Sequence, residues 1–226
     1  MSEHVAIMAG AGGELGPATA EKLPAAGFTM VRVDRNEEAL KELPDSIRRE
    51  VANPADPAAA GSVVDRIAAE VGPPEVLVNT IGTYGLGEAL TATPGDLRLM
   101  IDVNLGAALW LNQAVSRTRG TAIRLPIVHV AARPGLEPAA GMAACAVSKA
   151  ALVHLTRVLD LELRPLGIPG ERPRAAAARH PRNRQYFTPD LLAHAVAPGA
   201  AADIIVYLVS DAAEPASGAV EPAHGA

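Results

Sequence analysis

Val5-Ala6-Ile7-Met8-Ala9-Gly10-Ala11-Gly12-Gly13-Glu14-Leu15-Gly16 decides the fold. A short apolar run enters a glycine cluster, and Pro17 to Leu23 then reads as a helix. Glycines let a backbone turn tightly and approach a phosphate, while the helix N-terminus behind them offers free N–H groups and a positive dipole end. Pro17 costs little in a first helical turn, because its missing N–H would be unpaired there. A second apolar run, Phe28 to Val33, ends at Asp34. A carboxylate at that place accepts the two hydroxyls of a ribose and repels a 2′-phosphate, which favours NAD over NADP. Arg35 beside it is a partial counter-charge.

Outward from this unit the pattern repeats. Ala58 to Glu70 has helical periodicity, Val76-Leu77-Val78 is a buried strand stopped by Asn79, and Leu97 to Ser116 reads as one long apolar helix. Ile127 to Ala131 is a strand, while Ala143 to Leu163 and Ala201 to Ser210 are helices. Strands alternating with helices predict βαβ units, a parallel sheet and right-handed crossovers. The expectation is an α/β fold, a single Rossmann-like, doubly wound domain over residues 1–226.

Composition narrows the function classes. Hydrophobic residues make up 49% of the 226, ample for a core, and aromatics only 3%, so that core is built from Ala, Val, Leu and Ile. A net charge of −5 without a basic helix face argues against nucleic acid as a partner. No apolar run reaches the roughly 20 residues that span a bilayer, and the N-terminus has no basic region ahead of its first apolar run. With Cys145 the one cysteine, a reducing cytoplasm is the expected location. No His/Asp/Glu grouping has metal-ligand spacing. His129 and His154 are expected to be core or surface residues.

Further motifs carry a resemblance. Ala9-Gly10-Ala11-Gly12-Gly13-Glu14-Leu15-Gly16 resembles the Thr-Gly-x-x-x-Gly-x-Gly motif of the short-chain dehydrogenase/reductase family, with Glu14 in place of its middle glycine. Val76 to Gly82 resembles that family's Leu-Val-Asn-Asn-Ala-Gly segment, Asp102-Val103-Asn104-Leu105 its asparagine segment, and Ala146 to Leu152 the helix of its Tyr-x-x-x-Lys motif. Ser217 to Val220 is similar to its last strand. The resemblance implies hydride transfer between a nicotinamide and a small carbonyl or alcohol. It implies cofactor contacts at Gly10, Gly12, Gly13, Glu14, Leu15, Gly16, Asp34, Arg35, Val51, Asn79, Thr80, Ile81, Gly82 and Lys149. It also implies a homodimer or homotetramer, paired through the two long helices.

Of the four catalytic positions that the resemblance implies, Asn104 and Lys149 are kept. Cys145 stands for the tyrosine and Ala132 for the serine. A thiol is shorter than a phenol by most of a ring. Cys145 is then either a nucleophile ionised beside Lys149 or a small residue filling a vacated site, and the second is the simpler reading. Tyr84 is either packing or a replacement phenol; Arg133 is either a solvated loop residue or a lure for an acidic substrate. Three functions stay open: an oxidoreductase of reduced activity, a catalytically inactive nucleotide-binding scaffold, and non-redox chemistry at Lys149 or Cys145.

Two stretches break the pattern: Arg117 to Pro126, and the Arg/Ala/Pro-rich Pro169 to Arg184. Where the family continues Arg-Val-Asn, this chain has Pro169-Gly170-Glu171-Arg172. Codons for those residues, read one base later, permit Arg-Val-Asn-Ala. The same shift from Arg119 permits Gly-Arg-Gln-Ser-Gly-Ser before Ile127. Both stretches are then either the product of local out-of-frame reading or divergent loops, and either way the strand after Ile168 is expected to be poorly specified.

Overall fold

The computed structural model describes residues 4–42, 44–118, 125–163, 172–177, 196–216, 218 and 220–222. Among these residues seven strands form one sheet: β1 (His4–Ala9), β2 (Phe28–Asp34), β3 (Arg48–Val51), β4 (Pro74–Asn79), β5 (Pro126–Ala131), β6 (Arg172–Ala177) and β7 (Val220–Pro222). Their order is β3-β2-β1-β4-β5-β6-β7, and every neighbouring pair is parallel. The chain runs from β1 outward to β3, then returns to the other side of β1 with β4. At such a reversal the two crossovers leave opposite faces, so a crevice opens beyond the carboxyl ends of β1 and β4.

Among the described residues the α-helices are α1 (Leu15–Ala25), α2 (Glu37–Lys41), α3 (Pro57–Glu70), α4 (Pro94–Ile101), α5 (Ala107–Thr118), α6 (Ala143–Leu163) and α7 (Pro198–Val209). Strand side chains alternate faces, and β1 follows the rule. Ala6 and Met8 join a core with Leu23 of α1 and Ile205 and Leu208 of α7. Val5, Ile7 and Ala9 join the opposite core, with Val63 and Ile67 of α3 and Leu111 and Val115 of α5. Both faces of the sheet are therefore covered, which is why its strands read as unbroken apolar runs.

Three elements differ from the sequence expectation. The helix expected over Leu97 to Ser116 is two helices joined by a π-helical segment, Asp102–Gly106. It begins earlier because Thr93 and Asp96 form a reciprocal capping box. The strand β3, Arg-Arg-Glu-Val, gives no apolar signal because it is an edge strand rich in charge, whose buried Glu50 pairs with its own Arg48 and with Arg66 of α3. The strand expected to be poorly specified is formed at Arg172–Ala177, in register with β5 from Pro126↔Arg172 to Ala131↔Ala177. Among the described residues, Pro173 falls where β5 alone is its neighbour, since β7 pairs with Ala175 to Ala177. Proline is tolerated at such an edge position. Most of the other anomalous residues, 119–124, 169–171 and 178–184, lie outside the described residues.

Candidate active site

At the reversal point lies a cleft of about 470 Å³. One wall is the glycine turn. Gly10 takes a left-handed φ of 84°, and its N–H donates to Val33 O at 2.8 Å. Thr80 Oγ1 ties β4 to the same turn, donating to Ala9 O at 3.0 Å and Gly10 O at 3.1 Å. Gly16 is buried behind the turn, where a Cβ would overlap the Ala11 carbonyl oxygen. Glu14 lines the cleft from the N-cap position of α1, without a side-chain cap bond to that helix.

Asp34 is held at the far end of this wall. Its Oδ2 accepts from Gly12 N and its Oδ1 from Asn36 N, each at 2.9 Å. Both oxygens keep further lone pairs for a ligand. Asn36, Asn53 and Pro54 complete this end, with the exposed Arg35 beside them. Val51 is 49% exposed at the end of β3 and outside the cleft lining; Asn53 and Pro54 stand there instead.

The other end holds the residues carried over by resemblance. Cys145 and Lys149 lie one turn apart on α6 and line the cleft with Ala132, Val130, Val103 and Tyr84. Lys149 is 6% exposed, and its Nζ donates to Val130 O at 3.2 Å. A Cβ on Gly82 would lie 2.7 Å from that Nζ, so the glycine makes room for the ammonium. Burial lowers the Lys149 pKa to about 8. Cys145 is 2% exposed among Met100, Met142 and Tyr84. Burial pushes its thiol up, against smaller opposing effects of a Gly85 backbone hydrogen bond and of Lys149. The thiol is therefore neutral at neutral pH, a poor nucleophile. Tyr84 Oη donates to Met142 Sδ at 3.8 Å.

Asn104 sits in the π segment, fully buried and outside the lining. Its Oδ1 accepts from Thr83 N at 2.7 Å, while Nδ2 donates to Thr83 O at 3.1 Å and Ser148 Oγ at 2.9 Å. Asn79 is also buried, supporting the floor: its Oδ1 accepts from Ile81 N at 3.1 Å. Its Nδ2 donates to Nδ1 of the fully buried His129 at 3.2 Å. The ring proton then lies on Nε2, 3.1 Å from the Asn112 amide. With that amide turned oxygen-inward, its otherwise unpartnered Oδ1 accepts the proton. Burial, with Lys149 adding to it, lowers the His129 pKa to about 3, so the ring is neutral. The apolar run of β5 conceals this link, which joins Asn112, His129 and Asn79 only in three dimensions.

Among the described residues no group of His, Cys, Asp and Glu could hold a metal ion, and no helix is long and apolar enough to cross a membrane.

A parallel sheet with a glycine turn and an acidic residue at its reversal point is the geometry of a Rossmann-like dinucleotide-binding fold. A family model described as short chain dehydrogenase matches residues 4–169, and the chain belongs to that family. It is 34% identical over 176 residues to the short-chain reductase protein NovJ of Streptomyces niveus, covering 74% of this chain and 66% of that one. It is 31% identical over 166 residues to 2,3-dihydro-2,3-dihydroxybenzoate dehydrogenase of Bacillus subtilis, covering 70% and 64%. The matched segment thus spans just under two thirds of each relative. The fold matches a crystal structure of NAD⁺-bound xylitol dehydrogenase with a TM-score of 0.89 over 99% of this chain and 98% of that one, at 24% identity.

Proposed function

We propose that this protein is an NAD-dependent oxidoreductase that transfers hydride between the nicotinamide and a small carbonyl or alcohol, with weakened acid–base catalysis. The observation carrying this reading is Asp34, whose carboxylate lines the cleft with each oxygen oriented by a backbone N–H. The cleft fits a dinucleotide: the turn from Gly12 to Leu15 leads into the α1 N-terminus, and Gly82 leaves space before Lys149. The turn would hold the pyrophosphate, Asp34 the adenosine ribose, and Lys149 with the Thr80–Gly82 segment the nicotinamide half. The bound cofactor supplies or accepts the hydride at its nicotinamide ring.

The chain's own residues then have limited means. The Lys149 ammonium offsets negative charge developing on a substrate oxygen. Asn104, engaged by Thr83 and Ser148, shapes the wall between α4 and α6. No phenol stands at 145 and no hydroxyl at 132. Loss of a positioned acid costs typically 10²–10⁴-fold in rate. Fluorescence titration with NADH and NADPH tests the cofactor reading: NADH is expected to bind more tightly, and Asp34→Ala to narrow the gap. Equal binding, or none, would remove it.

A second reading, a nucleotide-binding scaffold without turnover, is favoured by Cys145 with Ala132. The double variant Cys145→Tyr/Ala132→Ser separates the two. Turnover of a simple carbonyl raised at least tenfold supports the enzyme, whereas unchanged inactivity supports the scaffold. Assembly is proposed as a homodimer or homotetramer through α4 and α6, where Leu97, Leu99, Val147 and Leu161 are 45–66% exposed. Light scattering measures it.

A further inference from the structure

The sequence contains three lysines, and their surroundings divide them. Lys22 donates to Asp203 and to Gly199 O on the surface. Lys41 pairs with Glu37 and Glu38, which raise its pKa. Among the described residues Lys149 has no carboxylate within ion-pair distance, and the Val130 carbonyl is its one hydrogen-bond partner. It is the buried one of the three, and it lines an open cleft. Two short side chains, Ala132 and Cys145, line that cleft with it, together with Val103 and Tyr84.

We infer that, when no nucleotide occupies the cleft, Lys149 captures small aldehydes as a reversible imine. This goes beyond the redox reading and does not depend on it, since it concerns the cofactor-free chain. The unprotonated Nζ attacks the carbonyl carbon, the new N–C bond forms, and the C=O π pair moves onto oxygen. The resulting carbinolamine loses that oxygen as water, carrying both amine hydrogens with it. One carbonyl and one amine give one imine and one water, with no change of oxidation state. A desolvated lysine in an apolar pocket is suited to this chemistry. Val103, Tyr84 and Ala132 offer a mostly apolar wall to a short alkyl chain, so unbranched aldehydes are the expected class.

The test treats the full-length protein with butyraldehyde and sodium cyanoborohydride near pH 7.5, which fixes any imine as a secondary amine. Peptide mass spectrometry then reads each lysine. An amine with a pKa of about 8 has a free fraction roughly 10²-fold above an ordinary lysine at this pH, so alkylation at Lys149 should exceed that at Lys22 and Lys41 at least tenfold. Lys149→Arg, which keeps the charge, should abolish this excess. Equal labelling of the three, or an unlabelled Lys149 in a sample where Lys22 and Lys41 react, would overturn the inference. NADH binding, measured separately, bears on the redox reading alone.

Discussion

Lys149 illustrates a residue whose burial destabilises the fold it belongs to. Its ordinary pKa of 10.5 falls to about 8 in the native state. Below pH 8 both folded and unfolded chains carry the proton, and the buried ammonium weakens the native state by its full amount. Between pH 8 and 10.5 the unfolded chain still binds the proton that the native chain releases, so stability recovers as pH rises. Lys149→Met is therefore expected to be more stable than the wild type at pH 7, by about 1–3 kcal/mol, while NADH affinity falls; urea unfolding at pH 7 and pH 10 checks both sign and window. His129 works at the acid end. Its native pKa of about 3 lies below the ordinary 6.5, so the unfolded state takes up a proton first and stability drops as pH falls from 6.5 toward 3. In His129→Asn that part of the acid sensitivity should vanish, read as a flatter plot of unfolding free energy against pH.

At the scale of elements, the glycine turn and the cap of α4 carry the sharpest expectations. A methyl at position 16 has no space beside the Ala11 carbonyl, so Gly16→Ala must displace α1 or the turn. Loss of about 3 kcal/mol or more is expected on thermal unfolding, with NADH binding abolished. Thr93→Ala removes half of a capping box and should cost about 1 kcal/mol without altering the cleft. The glycine turn was visible as sequence because its signals are local, a glycine spacing behind an apolar run, whereas the α4 cap was missed and the helix was expected to start only at Leu97. The π segment around Asn104 was not visible, since a one-residue shift in helical hydrogen bonding leaves the apolar pattern almost intact. Nor was β3, whose Arg-Arg-Glu start reads as a loop until Val31 to Asp34 pair with it. In the cleft, Asp34, Cys145 and Lys149 follow from motif positions. Asn53 and Val130 line it through backbone geometry that no motif records.

Over the whole molecule, the order β3-β2-β1-β4-β5-β6-β7 follows from strands alternating with helices, yet its last third is the part that sequence left least defined. Ser217 to Val220 was placed by resemblance alone, and Val220–Pro222 is the short strand that results. Sequencing the coding DNA across residues 117–126 and 169–181 is expected to show codons that restore Arg-Val-Asn-Ala after Ile168 in the shifted frame; codons that forbid it would make both stretches ordinary divergence. The strand order also has a mechanical side. One bank of the cleft comes from residues 10–54 and the other from residues 80–149, and within the sheet these banks meet only along the β1–β4 ladder. That ladder is the spine of an open book, and a guest gripping both pages is a clasp. Amides on β1 and β4 should then exchange with deuterium more slowly once the clasp is closed, while those on the outlying β7 keep their pace.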